Sequence, residues 1–306
     1  MTHSDAPEAA APPPRMNRTM LGIGLMLAGF FCFAISDTAA KKLTEEMHPL
    51  QVVWFRQLGL LSVALWILSR RGFRVLATRH PFLQSARGFV AAMSATCFIL
   101  AVREVPLADA VAVSFVAPFM VTALGALILR EPVGIRRWSA IAVGFAGMLI
   151  VVRPGAGIFH PAIGLVVVAA GFFAARQILS RLIGSDDPTA TTIAYTSLVS
   201  TVLLTVPLMI VWRMPESDWV LVSLVIVACA AALGEVLVIR ALELAHAVVL
   251  APMQYSMILW STALGFIVFN TLPDRYTLIG AAVIMCSGIY TLHRERLASR
   301  NLRQTS

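Results

Sequence analysis

"SFVAPFMVTALGALIL", residues Ser114–Leu129, is an uninterrupted apolar run with a proline inside it, and its word TALG (Thr122–Gly125) returns at Thr262–Gly265. A second word, AGFF at Ala28–Phe31, returns at Ala170–Phe173. The offsets are 140 and 142 residues. Two four-residue matches at nearly one spacing predict that the chain is an internal duplication with a period near that length.

The surroundings of both copies say what is duplicated. Of 306 residues, 58% are hydrophobic and 13% charged, and the mean hydropathy is +0.82, which excludes the half-polar surface of a water-soluble domain. The apolar runs are too continuous for the alternating strands of an outer-membrane barrel and long enough for helices of about 20 residues. The expected fold class is therefore an all-α integral membrane protein. Cutting the chain at its charged and Pro-, Gly- or Asn-containing breaks gives ten spans, near 20–42, 51–69, 84–103, 108–129, 137–152, 161–182, 190–212, 219–241, 247–269 and 276–292. The fifth is short. Each half then holds five helices, 19–153 and 161–293, and an odd number of spans turns the second half upside down relative to the first. Inverted repeats are the architecture of alternating-access transporters, which bind substrate near the midplane.

Charge agrees with that inversion. The net charge of +8 sits in short blocks between apolar runs, such as "SRRGFRVLATRH" (Ser69–His80), which reads as a topology signal and not as a nucleic-acid surface. With the N-terminus in the cytoplasm, fifteen basic residues fall on the inner side, six on the outer side, and three (Arg56, Arg87, Arg176) within spans. This predicts a multi-pass membrane protein with both termini cytoplasmic. Residues 1–18, with a triple proline and few apolar side chains, are expected to be a disordered cytoplasmic tail, and 294–306 a basic one. The first apolar run lacks a small-residue cleavage site and is expected to remain as a helix.

The four cysteines lie isolated in apolar runs and the six histidines have no metal-ligand spacing, so no metal and no cofactor are expected. There is no HExxH, GxSxG, GxGD or Walker sequence, which argues against an intramembrane or lipid-modifying enzyme, the competing reading.

"FFCFAISDTAAKKL" (Phe30–Leu43), "VVWFRQLGLL" (Val52–Leu61), the long stretch Ala101–Gly155 and "RALELAHAVVLAPMQYSMILWSTALGFIVF" (Arg240–Phe269) resemble the bacterial drug/metabolite transporter superfamily, in its EamA-type ten-helix branch. The resemblance spans nearly the whole chain apart from the tails. It implies a permease for a small organic metabolite, such as an amino acid, riboflavin or S-adenosylmethionine, and without a nucleotide-binding segment coupling to ATP would need another chain. The chain departs from the family at one place: Glu131 closes the fourth helix, but Asn270 and Thr271 stand where the ninth usually repeats a Gly-Glu pair.

Ionisable groups at membrane depth ask for a partner or a cavity. Asp37 lies about one and a half turns from the outer end of its helix, and either Arg56 on the next helix or Lys41 one turn away answers it. Arg176 and Glu235 lie at matched depth on the cytoplasmic side. They either pair, or Arg176 snorkels and Glu235 meets Arg240 or a water-filled vestibule. We assign these four to gating or coupling, with protons as the candidate coupling ion. Pro118 and Pro252, on equivalent helices, either free a backbone carbonyl at a cavity or merely kink the helix. Around them Ser114, Phe115, Gln254, Tyr255, Ser256 and Trp260, with Trp54, offer aromatic faces and a few hydrogen-bonding groups for a substrate, although each aromatic ring also suits plain helix packing. The expected partners are a small-molecule substrate, the lipid bilayer and no nucleic acid, in a monomer or homodimer.

Overall fold

The computed structural model describes residues 15–130, 134–153, 160–184, 186–245 and 247–304, all in helices, turns and short connections. The first half contributes α1 (Arg15–Leu43), α2 (Pro49–Arg71), α3 (Pro81–Glu104), α4 (Leu107–Ser114), α5 (Ala117–Ile128) and α6 (Ile135–Val152). The second contributes α7 (Ala162–Ile183), α8 (Thr189–Val211), α9 (Asp218–Leu244), α10 (Ala247–Leu250), α11 (Ser256–Phe269) and α12 (Arg275–Gln304). Among the described residues, eight stretches, taking α4 and α5 as one, are long and apolar enough to cross a membrane, and Trp138–Val152 and Arg275–Tyr290 are shorter apolar helices. The fold is thus an all-helical, ten-span membrane bundle of two five-span repeats.

Two boundaries differ from the sequence reading. α1 starts at Arg15, so residues 15–18 extend the first helix, and only 1–14 of the expected tail fall outside the described residues. α12 runs on to Gln304, because the segment after Tyr290 has no proline or glycine to end it. Glu131 and His246 also lie outside the described residues.

The two halves are interlocked, not side by side. α1 packs along α9 and α3 along α7, so the first helix of each half lies on the third helix of the other. α2 packs on α8, and α6 on α12, each against its own equivalent. Exchanging the two halves returns the same set of contacts, as a pseudo-twofold relation requires. In lipid, close approach and interhelical hydrogen bonds hold such pairs together. Gly59 shows the closeness: a Cβ there would stand 2.1 Å from the Ala228 carbonyl oxygen of α9. Small hydroxyls supply the hydrogen bonds, Ser36 donating to the Val227 carbonyl at 3.1 Å, Ser94 to Ala169 at 2.9 Å, Ser200 to Gly88 at 3.0 Å and Ser287 to Ala140 at 2.7 Å.

With an even number of spans both chain termini lie on one face, called the terminal face below; the opposite one is the far face. On the far face the Gln51 side chain donates to the Arg213 carbonyl (2.7 Å) and accepts from its N–H (3.2 Å), fastening α2 to the end of α8. Arg153, in the left-handed conformation that ends α6, meets Asp274 at 2.5 Å. On the terminal face Asp187 joins the α7–α8 and α2–α3 connections, accepting from Thr78, from Gln84 at 2.8 Å and from the Arg79 N–H at 3.4 Å. Burial alone pushes the Asp187 carboxyl up, but these hydrogen bonds and nearby His80 leave it below the ordinary carboxylate range.

Candidate functional site

The fourth span is broken after its first eight residues and the ninth after its first four. Pro118 has no N–H to donate, so the helix stops at Ser114 and resumes as α5 from Ala117, with Pro118 in its first turn. In the ninth span, α10 ends at Leu250 and a 3-10 turn, Ala251–Tyr255, carries Pro252 and leads into α11. The two breaks meet: Phe115 and Tyr255 stand edge to face with ring centroids 5.2 Å apart, both buried. Tyr255 also lies over Gly288 of α12, where a Cβ would stand 1.6 Å from its hydroxyl. The backbone stays in the helical region through both breaks, so they are kinks with 3-10 turns, which membrane helices tolerate where neighbours satisfy the freed backbone groups.

Other predicted residues divide. Trp260 packs edge to face on Phe31 of α1 at 5.1 Å. Its indole N–H, and the Ser256 hydroxyl one turn earlier on the same face, are buried without a hydrogen-bond partner among the described residues. Gln254 and Pro252 are half-buried beside Tyr255. Ser114 is spent locally, donating to the Ala110 carbonyl at 2.9 Å. Trp54 is not brought to this centre. Its N–H donates to Thr205 Oγ1 at 2.9 Å and its ring joins Phe55 and Trp212, an aromatic cluster between α2 and α8 towards the far face.

The charged residues form two layers. In the far half, Arg56 donates to Asp37 in a close ion pair, with the Asp37 side chain 4% exposed and that of Arg56 17% exposed. Lys41 goes elsewhere: it donates to the carbonyls of Val102 and Val105 at 2.5 Å each, satisfying the end of α3, and lies over the Phe269 ring. In the terminal half, Arg176 and Glu235 are half-buried and make no ion pair with each other among the described residues. The Arg176 guanidinium stacks on Phe173, 4.9 Å from the ring centroid, and its Nε is buried without a hydrogen-bond partner. Arg240 pairs with Glu243 at 2.9 Å, so it does not answer Glu235.

Arg87 was not singled out from the sequence as part of this layer. From α3 it donates to Ser180 Oγ at 2.8 Å and to Thr196 Oγ1, and it lies within electrostatic reach of both Arg176 and Glu235. An arginine six residues into a helix reads as one that snorkels, and the hydroxyls that hold it here are about a hundred residues away. Asp109, another residue not singled out, has a buried carboxylate oxygen without a partner near the start of α4.

The arrangement around the two breaks also distinguishes the halves of the bundle. In the far half α4 packs on α11, bridging the repeats. In the terminal half α5 packs on α7, while α10 packs on α1 and α9.

A family model for EamA-like transporters matches residues 20–153 and again 160–292. The chain belongs to the EamA-like transporter family. Among relatives of this EamA-family chain, the S-adenosylmethionine uptake transporter of Rickettsia conorii is 26% identical over 279 residues, covering 91% of this chain and 95% of that protein. The riboflavin transporter of Vibrio cholerae is 28% identical over 285 residues, with coverages of 91% and 95%. The pseudopaline exporter of Pseudomonas aeruginosa is 24% identical over 274 residues, covering 88% and 94%. One solved structure superposes with a TM-score of 0.63 at 16% identity, covering 93% of this chain and 99% of its own, which speaks for the fold alone. This EamA-family protein is accordingly a membrane transporter of a small metabolite, not an enzyme.

Proposed function

We propose that the chain carries a small organic metabolite of the S-adenosylmethionine, riboflavin or amino-acid class across the bacterial inner membrane by alternating access between its inverted halves, 19–153 and 161–293. Both termini are cytoplasmic in this reading, so the terminal face is the inner one, in keeping with the excess of basic residues there. Substrate sits where the broken spans meet, against Phe115, Tyr255, Ser256 and Trp260. The observation that carries the proposal is the unequal state of the two charge layers. Asp37 and Arg56 are joined and buried on the outer side, while Arg176 and Glu235 are apart on the inner side. A closed outer layer beside an open inner one is one end state of an alternating cycle. The Asp37 and Glu235 carboxylates are the candidate proton carriers if flux is coupled to protons.

The test is uptake and efflux in proteoliposomes with labelled S-adenosylmethionine, riboflavin and a panel of amino acids, with and without a pH gradient. Saturable, protein-dependent flux of one class is expected. Substitution of Asp37 and Glu235 by their amides should abolish or slow flux and flatten its pH dependence. Unchanged rate and pH dependence in both variants would remove the charge layers from the mechanism.

A further inference from the structure

From the groove between α1, α9 and α11 in the far half of the bundle we infer a phospholipid site, selective for a zwitterionic head group that ends in a primary ammonium. The site faces the bilayer and does not depend on which metabolite is carried.

The groove has a volume of about 550 Å³. One wall is α1, whose Ile35, Ala39 and Lys42 share a helix face at i, i+4 and i+7. Asp37 of the same helix points the other way, into its ion pair with Arg56. Ile226 of α9 and Val268 of α11 form the other walls, and both remain exposed. Exposed apolar surface on a membrane bundle meets lipid tails, so an acyl chain suits the deeper part of the groove. From Ile35 to Lys42 the α1 wall rises about 10 Å, roughly two-thirds of the hydrocarbon depth of one leaflet. A chain laid along it brings its head group to the Lys42 end. Because α1 belongs to the first half and α9 and α11 to the second, that lipid would touch both halves.

The Lys42 end has the chemistry of a head-group site. Lys42 stands in the last turn of α1, level with Trp219 in the first turn of α9 and Val268 in the last turn of α11. An indole at that level sits at the interfacial depth where tryptophan is favoured. The charges there are mixed. Lys42 pairs with Glu45 while its side chain stays 44% exposed, and Glu46, which also lines the groove, has no hydrogen bond or ion pair among the described residues. Lys41 is turned to the end of α3, and Asp218 precedes Trp219. Among these side chains carboxylates outnumber cations. An anionic head group, such as that of phosphatidylglycerol, gains Lys42 but meets the carboxylates. Phosphatidylethanolamine answers both signs, its phosphate reaching Lys42 and its ammonium donating to Glu46. Phosphatidylcholine carries the same charges, but its trimethylated nitrogen has no N–H to donate.

The experiment is native mass spectrometry of the full chain in detergent, titrated with phosphatidylethanolamine, phosphatidylcholine and phosphatidylglycerol of identical acyl chains. Wild-type protein is expected to bind phosphatidylethanolamine about fivefold more tightly than either of the others, the size of one charge contact at a membrane surface. Glu46→Gln should remove the preference over phosphatidylcholine, and Lys42→Gln should weaken binding of all three lipids. Val268→Trp, which fills the groove, should do the same with helix content unchanged by circular dichroism. Equal affinity for the three lipids in the wild type, or a preference for phosphatidylglycerol, would overturn the proposal without requiring any variant to fold. Undiminished phosphatidylethanolamine binding in a folded Val268→Trp would overturn it too, since the lipid would then sit elsewhere.

Discussion

The two charge layers use the same chemistry and reach opposite states. Near the far face Asp37 and Arg56 sit on consecutive helices of one half and touch, out of water. Near the terminal face Arg176 and Glu235 sit at comparable depth, also in one half, and stay apart. The difference is in what surrounds them. Around the first pair, Lys41 is occupied with the end of α3, so no second cation competes for Asp37. Around the second, Arg87 adds a further positive charge and the Arg176 guanidinium lies over the Phe173 ring. We read the joined pair as the closed layer of the transport cycle and the separated charges as its open layer.

The largest expected effect breaks the joined layer. Asp37→Asn or Arg56→Gln alone leaves one buried charge uncompensated and should cost about 3–5 kcal/mol of stability, whereas the double substitution should return most of it. Thermal melts in detergent would check this, and equal losses in single and double variants would mean that the pair is not a unit. An intermediate effect is expected at the meeting of the broken spans. Gly288→Ala would force the Tyr255 hydroxyl aside, leaving the fold intact and raising the substrate KM several-fold, read as flux against concentration.

Neutralising the separated layer sharpens the contrast. Arg176→Gln and Glu235→Gln should each change stability by less than about 1 kcal/mol, since neither breaks a formed ion pair, while changing transport. A stability loss as large as that of Asp37→Asn would erase the distinction between the layers.

The smallest effect concerns the terminal-face clasp at Asp187. Its carboxyl is held below the ordinary value, so the charged form stabilises the fold above the unfolded-state value near 3.9, and that contribution fades as pH falls through the lower folded-state value. Asp187→Asn should therefore weaken the dependence of the melting temperature on pH below about 4 and leave neutral-pH transport unchanged.

Much of this was legible in the sequence because it follows from the bilayer. Long apolar runs, the basic loops and the recurring AGFF and TALG words define ten spans and their duplication without any knowledge of contacts. Pro118 and Pro252 marked the two breaks because a missing N–H is a property of the residue alone. Depth was readable too, which is why Asp37 and Arg56 could be matched. What depth cannot give is azimuth, and azimuth decides the rest. Trp54 lies on a helix of the right depth but faces α8, and Arg176 faces Phe173 and not Glu235. Arg87 escaped notice because its anchors, Ser180 and Thr196, come from α7 and α8. No local pattern connects them. The extension of α12 to Gln304 was missed for a simpler reason: a polar, basic segment reads as a tail when only hydropathy is counted.

The central claim is that the outer layer must separate during each cycle. It is tested by replacing Asp37 and Arg56 with cysteines, after substituting the native Cys32, Cys97, Cys229 and Cys286, and joining the pair with a short bifunctional thiol reagent. The account predicts that the cross-linked protein still binds substrate from the terminal face but carries none across, and that cleaving the link returns flux to the slower rate of the uncross-linked double-cysteine variant. Flux through the cross-linked protein equal to that of the uncross-linked variant would contradict it.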